Sequence, residues 1–355
     1  MVIRNLDLSC FRNYTRLQTE FATRLNWIHG DNGQGKTNLV EAIHYLCNLE
    51  SFRTRRNKDL LQTGHPTAEL KAEIERKGVF HKTRIEVTSR GRQVYLDHTS
   101  FRRVSEYILS FIALTLTPEE VALFRGSPHE RRRFFNRIQS ILDPSFFRIL
   151  QEYARTLAQK NALLKQHESQ KLDLWNRLLS RHALMIVRQR RRFMQSVSQH
   201  VHSLFVEISG RDEHLELHYL PSMAAEEESE EAFTKELESM SQREIQAGHS
   251  LLGPHRDDFQ LSLDHRLDRN FFSQGEFRIT NLALKMSLNQ LLFQEYQFHP
   301  VLILDDLLSE LDSRMKRRIM DYLLNLENQV FITSTGPPEQ KFFGKTFQIS
   351  HGRTV

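Results

Sequence analysis

The sequence predicts an α/β fold: a mixed sheet with an antiparallel β subdomain, carrying an inserted α-helical lobe. Three features predict it. A glycine-rich loop, Gly30-Asp31-Asn32-Gly33-Gln34-Gly35-Lys36-Thr37, separates a strand pattern from a helix pattern. The apolar runs Val301–Leu304 and Val330–Ile332 have the continuity of parallel strands buried on both faces. Between these ends lies a stretch, Ser145–Ser209, with neither glycine nor proline.

The elements follow in order. Val2–Leu8 reads as a first strand and Leu25–His29 as the next, ending at the glycine loop. Leu39, Val40, Ile43, Leu46 and Cys47 then fall at helix spacing. Over residues 68–97 apolar and polar positions alternate: Leu70, Ala72 and Ile74, then Thr83, Ile85 and Val87 after Lys77-Gly78, then Val94 and Leu96 after Ser89-Arg90-Gly91. That is an antiparallel meander with one buried face. Leu150, Tyr153, Ala154, Leu157 and Leu164 form one helical stripe; Trp175, Leu178, Leu179, His182 and Ile186 form another, with the turn expected at His167–Lys171. Arms of about 25–35 residues reach roughly 40–50 Å, a lobe rather than a long rod. Leu215, Leu217 and Tyr219 alternate up to Pro221, and Phe259, Leu261 and Leu263 alternate again. Glu226–Glu231, with five glutamates, reads as a solvated acidic loop. Leu284, Leu288, Leu291 and Leu292 mark a helix. The division expected is 1–117 as the N-terminal part of the head, 118–254 as the mainly helical lobe and 255–355 as the head's C-terminal part.

At 355 residues the chain is long enough for about two domains of roughly 100–200 residues. A net charge of +5 favours a polyanionic partner weakly. Its cysteines, Cys10 and Cys47, form no metal-ligand spacing and no disulfide framework, which fits a reducing cytoplasm. No run approaches the ~20 apolar residues that span a bilayer, so a cytoplasmic protein without a membrane partner is expected. His249, His255 and His265 lie close in sequence, but no cysteine partner or i, i+4 pairing supports a metal reading.

The loop 30–37 matches G-x-x-x-x-G-K-[ST] in full. Triphosphate oxygens need many donors at short range. Gly33 and Gly35 remove side chains so that backbone N–H groups can converge, and the following helix adds its N-terminal dipole. Lys36 is expected on the β/γ-phosphates of ATP, and Thr37 on Mg²⁺. Val301–Leu304 delivers Asp305 to the same metal at the sheet's carboxyl edge and Asp306 to the attacking water. Ser309-Glu310-Leu311-Asp312 follows. Ser273-Gln274-Gly275-Glu276 opens the helix run at 284–292. A second phosphate-binding helix tip is redundant in one subunit and makes sense if it reaches the γ-phosphate held by another copy; the Glu276 carboxylate argues against direct phosphate contact by that residue.

With these motifs in this order, the chain resembles ABC-type P-loop ATPase heads, in particular the SMC-like subgroup, and within it the RecF family of bacterial DNA repair proteins. The matching residues extend over almost the whole chain: Cys10-Phe11-Arg12-Asn13-Tyr14, Gly30–Asn38, Ser51-Phe52-Arg53-Thr54, Gly126–Arg133, Gly253-Pro254-His255-Arg256-Asp257-Asp258, Ser273-Gln274-Gly275, and Leu304-Asp305-Asp306 through Asp312. The resemblance implies a homodimer closed on two ATP molecules, with Ser273 of one copy capping the γ-phosphate held by Lys36 of the other. It implies that Asp312 crosses the interface and that Arg12 and Asn13 lie near the nucleotide. It further implies weak ATP hydrolysis as a release switch, DNA binding near single-strand/double-strand junctions, recombinase loading with RecO and RecR, and support of the SOS response. The sequence departs from the wider ABC pattern in Thr333-Ser334-Thr335, which has no switch histidine, in the lack of a γ-phosphate-sensing glutamine near Leu116-Thr117-Pro118-Glu119, and in Phe277 after the signature.

Three basic stretches are candidates for phosphate-backbone contact without sequence readout: Arg131-Arg132-Arg133, Arg188-Gln189-Arg190-Arg191-Arg192, and Arg53, Arg55, Arg56 with Lys58. Each can equally be a solvated helix face with local ion pairs. A reading from another class is the ATPase engine subunit of a transporter-like ABC complex, which DNA-stimulated turnover would set aside. A third, nucleotide as a static ligand in a scaffold, is opposed by Asp305-Asp306.

Overall fold

A computed structural model describes residues 1–97, 99–101, 107–118, 123–167, 171–223, 229–264, 272–309, 311–339 and 341–354. The chain forms two units: Met1–Val121 with Glu207–Gly210 and Ser273–Val355, and Ala122–Val206 with Arg211–Phe272. The helical unit thus ends at Phe272 and not at 254. The reason is local: the strand Asp258–Leu263 pairs antiparallel with Leu215–Leu220, which keeps both inside the helical unit.

The first unit is the α/β head. Its strands are β1 (Val2–Phe11), β2 (Tyr14–Glu20), β3 (Leu25–His29), β4 (Thr67–Arg76), β5 (Val79–Thr88), β6 (Gly91–Leu96), β7 (Thr99–Ser100) and β8 (Ala113–Leu116). Helix α1 (Lys36–Asn48) follows β3. An antiparallel sheet runs β2-β1-β4-β5-β6-β7. The meander expected over 68–97 is there, and β1 joins it by pairing Leu6 with Ala72 and Leu8 with Leu70. Its inward positions are apolar at every second residue, Leu70, Ile74, Ile85 and Val87 among them, all buried. Two points differ from the sequence reading. β1 continues to Phe11, and β2 returns at once, because Cys10 and Arg12 take left-handed backbone (φ 53 each) that reverses the chain.

In the helical unit, α2 is Pro128–Leu142, α3 Pro144–Lys165, α4 Leu172–Ser209 (which runs into the head segment 207–210), β9 Leu215–Leu220, α5 Glu230–Ser239, α6 Ser241–Ala247 and β10 Asp258–Leu263. The head's C-terminal part adds α7 (Gln274–Tyr296), β11 (Val301–Leu304), α8 (Ser313–Asn325), β12 (Val330–Ser334), β13 (Gly344–Ser350) and β14 (Arg353–Thr354). The second head sheet runs β14-β13-β3-β12-β11-β8, parallel from β13 to β8. All four residues of β11 and of β8 are buried, as expected of strands covered on both faces. Each buried Val, Leu or Ile side chain contributes about 1.5–3 kcal/mol of burial free energy. Among the described residues no helix is long and apolar enough to cross a membrane.

The two long arms are helices of 22 and 38 residues, the second longer than the spacing implied. The starts of α2 and α3 have a local cause. Ser127 and Glu130 form a capping box with Pro128 at the first position, and Asp143 caps α3 with Pro144 behind it. Phe146, Ile149, Tyr153, Leu179, Ala183, Ile186 and Phe233 make the unit's core. The acidic run is not wholly a loop: Ser229 caps α5, and Glu230 and Glu231 fill its first turn, where the helix dipole favours them. Glu226, Glu227, Glu228, Glu168, Ser169, Gln170, Glu119, His265 and Glu310 lie outside the described residues.

The first two basic stretches each put one buried arginine to structural use, while Arg133, Arg188, Arg191 and Arg192 stay exposed. The fully buried guanidinium of Arg131 donates from Nε to Asp258 Oδ1 (2.7 Å) and from Nη2 to Oδ2 (2.9 Å), and Arg132 donates to the Asp257 carbonyl (2.6 Å). Arg190, 2 % exposed, donates to Asp257 Oδ2 (2.5 Å), to the Pro254 carbonyl and to Asn136 Oδ1, with the Tyr219 and Phe259 rings alongside. The buried side chains of the Gly-Pro-His-Arg-Asp-Asp segment therefore act as a clasp inside the helical unit. Gly253 is required there, because at φ 128 a Cβ would run into the Tyr153 hydroxyl. That hydroxyl meets His255 Nδ1 at 2.6 Å. Burial pushes the His255 imidazole down to about 4. A folded-state value below the unfolded ~6.5 means that the unfolded chain binds more protons in between, so stability is full above that range and falls with pH. Acidifying from pH 7 to 4 is expected to cost the unit on the order of 1–3 kcal/mol, and His255→Gln should flatten this loss in urea titrations across pH.

Candidate functional site

The glycine loop stands at the carboxyl end of β3, the strand flanked by β12 and β13. Gly30 has φ 148, and a Cβ there would collide with the Ile349 carbonyl oxygen of β13. Gly35 has φ 118, and a Cβ would come within 2.6 Å of Asn13 Nδ2. Asp31, Asn32 and Gly33 are exposed at the loop's rim, with Gly33 at φ 80 facing open space. Helix α1 starts at Gly35 with no side-chain cap and no acidic residue in its first turn. By contrast, α2, α3, α5, α7 and α8 are each capped by a side chain of their own. Uncapped first-turn N–H groups suit an anion. Lys36, 9 % exposed, donates from Nζ to the Gly30 carbonyl (2.6 Å) and the Asp31 carbonyl (2.8 Å). Burial lowers its ammonium pKa against the opposing pull of Asp306, Asp305 and Asp31. A desolvated cation held by neutral carbonyls is ready to exchange them for phosphate oxygens.

The opposite wall comes from β11 and β12. Thr37 Oγ1 donates to Asp305 Oδ1 at 3.2 Å. Thr333 Oγ1, at the end of β12, donates to the same Asp305 oxygen at 2.6 Å and accepts from the Asp306 N–H at 2.9 Å. Asp305 is 5 % exposed and Asp306 half-buried, with left-handed backbone (φ 52) that turns the chain out of the strand. The segment that lacks a histidine thus supplies, in Thr333, a hydroxyl that fixes both acidic residues. A hydroxyl and a carboxylate at this separation are the hard oxygen donors that Mg²⁺ takes.

Supports of the loop were less visible in sequence. Gln34 is gripped from both chain ends: its carbonyl accepts from Asn13 Nδ2 (3.1 Å) and from Gly352 N (3.0 Å), and its side chain accepts from His351 N (2.7 Å). Tyr14 donates its hydroxyl to the Gly35 carbonyl (3.0 Å). Asn13 reaches the loop through contact with its backbone. Arg12 donates to Glu41 Oε2 (2.8 Å) and Oε1 (2.6 Å) and to the Asp59 carbonyl (2.5 Å). Glu41 is fully buried on α1 and also takes Ser51 Oγ (2.5 Å) and Arg53 (3.5 Å). The signal in sequence was that glutamate, set between Val40 and Ala42 on an apolar helix. Arg53 and Arg56, from the third basic stretch, are paired with Glu41 and Asp59.

Ser273 and Asp312 sit at helix starts. Ser273 and Glu276 form a capping box at α7: Ser273 Oγ accepts from Glu276 N (3.2 Å), and the Glu276 carboxylate accepts from Ser273 N (2.7 Å). Glu276 thus has a structural task, and the Ser273 hydroxyl keeps its own proton to donate. Gly275 has room, with Leu311 the nearest neighbour at 3.6 Å of a built Cβ. Phe277 is buried. Asp312 Oδ1 accepts from Met315 N at 2.8 Å as the α8 cap. Among the described residues neither Ser273 nor Asp312 hydrogen-bonds to loop residues 30–37 of its own chain. Sequence reading missed Arg278: buried in the early part of α7, it donates to the Asp306 carbonyl (3.0 Å), the Leu307 carbonyl (2.8 Å) and Ser309 Oγ (3.2 Å), joining the signature helix to the segment after β11.

A family model for the RecF/RecN/SMC N terminal domain matches residues 2–353. The chain is 32 % identical over 363 residues to the DNA replication and repair protein RecF of Geobacter sp. (strain M21), covering 100 % of both chains. It is 33 % identical to the DNA replication and repair protein RecF of Geobacillus thermodenitrificans (strain NG80-2), over 94 % of this chain and 93 % of the relative. Among solved structures it is similar to the recombination mediator protein RecF-ATP of the RecFOR pathway, with a TM-score of 0.87, 26 % identity, and 100 % and 97 % of the two chains covered. An SMC head bound to the C-winged helix domain of ScpA shares the fold at a TM-score of 0.60 and 17 % identity, with 100 % and 96 % covered.

Proposed function

The chain belongs to the RecF/RecN/SMC N-terminal domain family, and from that premise we propose that it is a weak ATPase of DNA replication and recombinational repair whose ATP-bound form is a DNA-binding homodimer. The observation that carries the reading is the meeting of Thr37 with Asp305, 268 positions apart in sequence, at 3.2 Å beside a desolvated lysine. Lys36 would trade two backbone carbonyls for phosphate oxygens. Thr37 and Asp305 would hold Mg²⁺, which when bound neutralises charge on the β- and γ-phosphate oxygens. Asp306 would orient the attacking water, with its backbone N–H fixed by Thr333. Full-length likeness to RecF proteins is what favours this reading over the transporter engine.

The dimer half of the reading rests on Ser273. Its oxygen is used by the helix cap, and among the described residues its proton has no acceptor, as a donor to the γ-phosphate of a second copy requires. Asp312 would face the same seam. Binding near single-strand/double-strand junctions, work with RecO and RecR, support of the SOS response and a cytoplasmic location belong to this proposal. Sedimentation with and without ATP tests it. The wild type is expected to shift from monomer to dimer on ATP. Ser273→Arg should retain ATP yet stay monomeric, since losing the cap costs only about 1 kcal/mol and leaves the head folded. A wild type whose sedimentation ignores ATP would overturn the cross-subunit site.

A further inference from the structure

We infer that the exposed face of α8 is a docking surface for the phosphate backbone of DNA, an inference that rests on the DNA reading proposed above. The helix opens Ser313-Arg314-Met315-Lys316-Arg317-Arg318, four cations within five positions. Ile319, Met320 and Leu323 bury the opposite face, which turns Arg314 and Arg317 outward and leaves both exposed. Arg318 flanks them, its guanidinium lying where a Cβ on Gly210 would be, at the carboxyl end of α4. Lys316 is half-buried on the other flank.

Two independent features separate this cluster from an ordinary solvated face. Arg314, Lys316, Arg317 and Arg318 make no ion pair among the described residues. Asp321, the carboxylate one turn on along the same face, uses its backbone carbonyl for Asn325 and pairs with none of them. In the basic stretches that looked stronger in sequence, Arg131 and Arg190 are spent on Asp258 and Asp257 inside the helical unit, and the exposed Arg133, Arg188 and Arg191 engage other groups. The cluster also sits in the first half of its helix, with no acidic residue in the first turn, where the helix dipole disfavours cations. Guanidinium groups with no carboxylate partner among the described residues, placed against the local field, call for an external polyanion. Their spacing along one helix face, with no exposed aromatic ring among residues 313–318 to stack a base, suits backbone contact without sequence readout.

The test is the salt dependence of binding to gapped duplex DNA by the full chain with ATP. Removing one cation that meets a phosphate should lower the log–log slope by about 1. Arg314→Gln with Arg317→Gln is expected to lower it by about 2 and to weaken binding at least roughly tenfold near 0.1 M salt. The same charge change made on the meander, Lys82→Gln with Arg90→Gln, should leave the slope within about 0.5 of wild type. ATP-dependent dimerisation reports the fold of the variant; if the double variant loses it, the single substitutions are read instead, each with a slope change of about 1. A wild-type slope in the α8 variant, or an equal drop in the meander variant, overturns the α8 surface and leaves the DNA reading standing. Failure of the wild type itself to hold DNA overturns both.

Discussion

Replacing Arg190 with alanine is expected to destabilise the helical unit by about 3–5 kcal/mol, because the change leaves the Asp257 carboxylate buried without its cation. Both partners are almost wholly inside, at 2 % and 1 % side-chain exposure. The remaining donors to Asp257, the Tyr219 hydroxyl and Ser222 N, are neutral and do not replace a guanidinium. The same arginine also ties Pro254 and Asn136, so the loss spreads to α2 and to the segment before β10. Urea unfolding followed by Trp175, in a Trp27→Phe background, reports on this unit alone. The midpoint should fall well below that of the parent, and Arg190→Lys should recover only part of it, since an ammonium cannot reproduce the planar fork. An unchanged midpoint would mean that the clasp is not what holds the lobe together.

Lys36→Met should lower ATP affinity more than 100-fold, or about 3 kcal/mol and beyond, the sum expected for two charge-assisted hydrogen bonds. The fold should survive. In the free protein the ammonium bonds only the Gly30 and Asp31 carbonyls, both at the rim of the loop, where water can take over. Thermal unfolding with and without ATP separates the two effects. Wild type should gain stability with ATP concentration by mass action, and the variant should not. A variant that still shifts with ATP would place the phosphates elsewhere.

How far the site was legible depended on the sequence distance over which its cause acts. The loop at 30–37 and the apolar run into Asp305-Asp306 carry their reasons within a few residues, so spacing alone located them. The meander was equally plain, since alternation at Leu70, Ala72 and Ile74 is a local pattern. Pairings were not. Arg131 and Arg190 read as surface charge because their carboxylates lie 127 and 67 positions away. Thr333-Ser334-Thr335 was read only as a segment without a histidine, and only folding puts the Thr333 hydroxyl on Asp305. The pairing of Arg12 with Glu41, 29 positions on, was likewise out of reach of a local pattern. β2 escaped because its buried residues, Tyr14 and Leu17, are three apart and break the period of two.

The placement of β3 bears on how the protein is made. This strand, finished by residue 29, has both neighbours in the last tenth of the chain, and Gln34 waits for a donor 317 positions downstream. At roughly 5–20 residues per second a ribosome needs about 15–60 s to deliver them. The helical unit is complete by Phe272 and can fold while translation continues. The nascent head meanwhile has its middle strand bare on both edges until the carboxyl-terminal strands emerge.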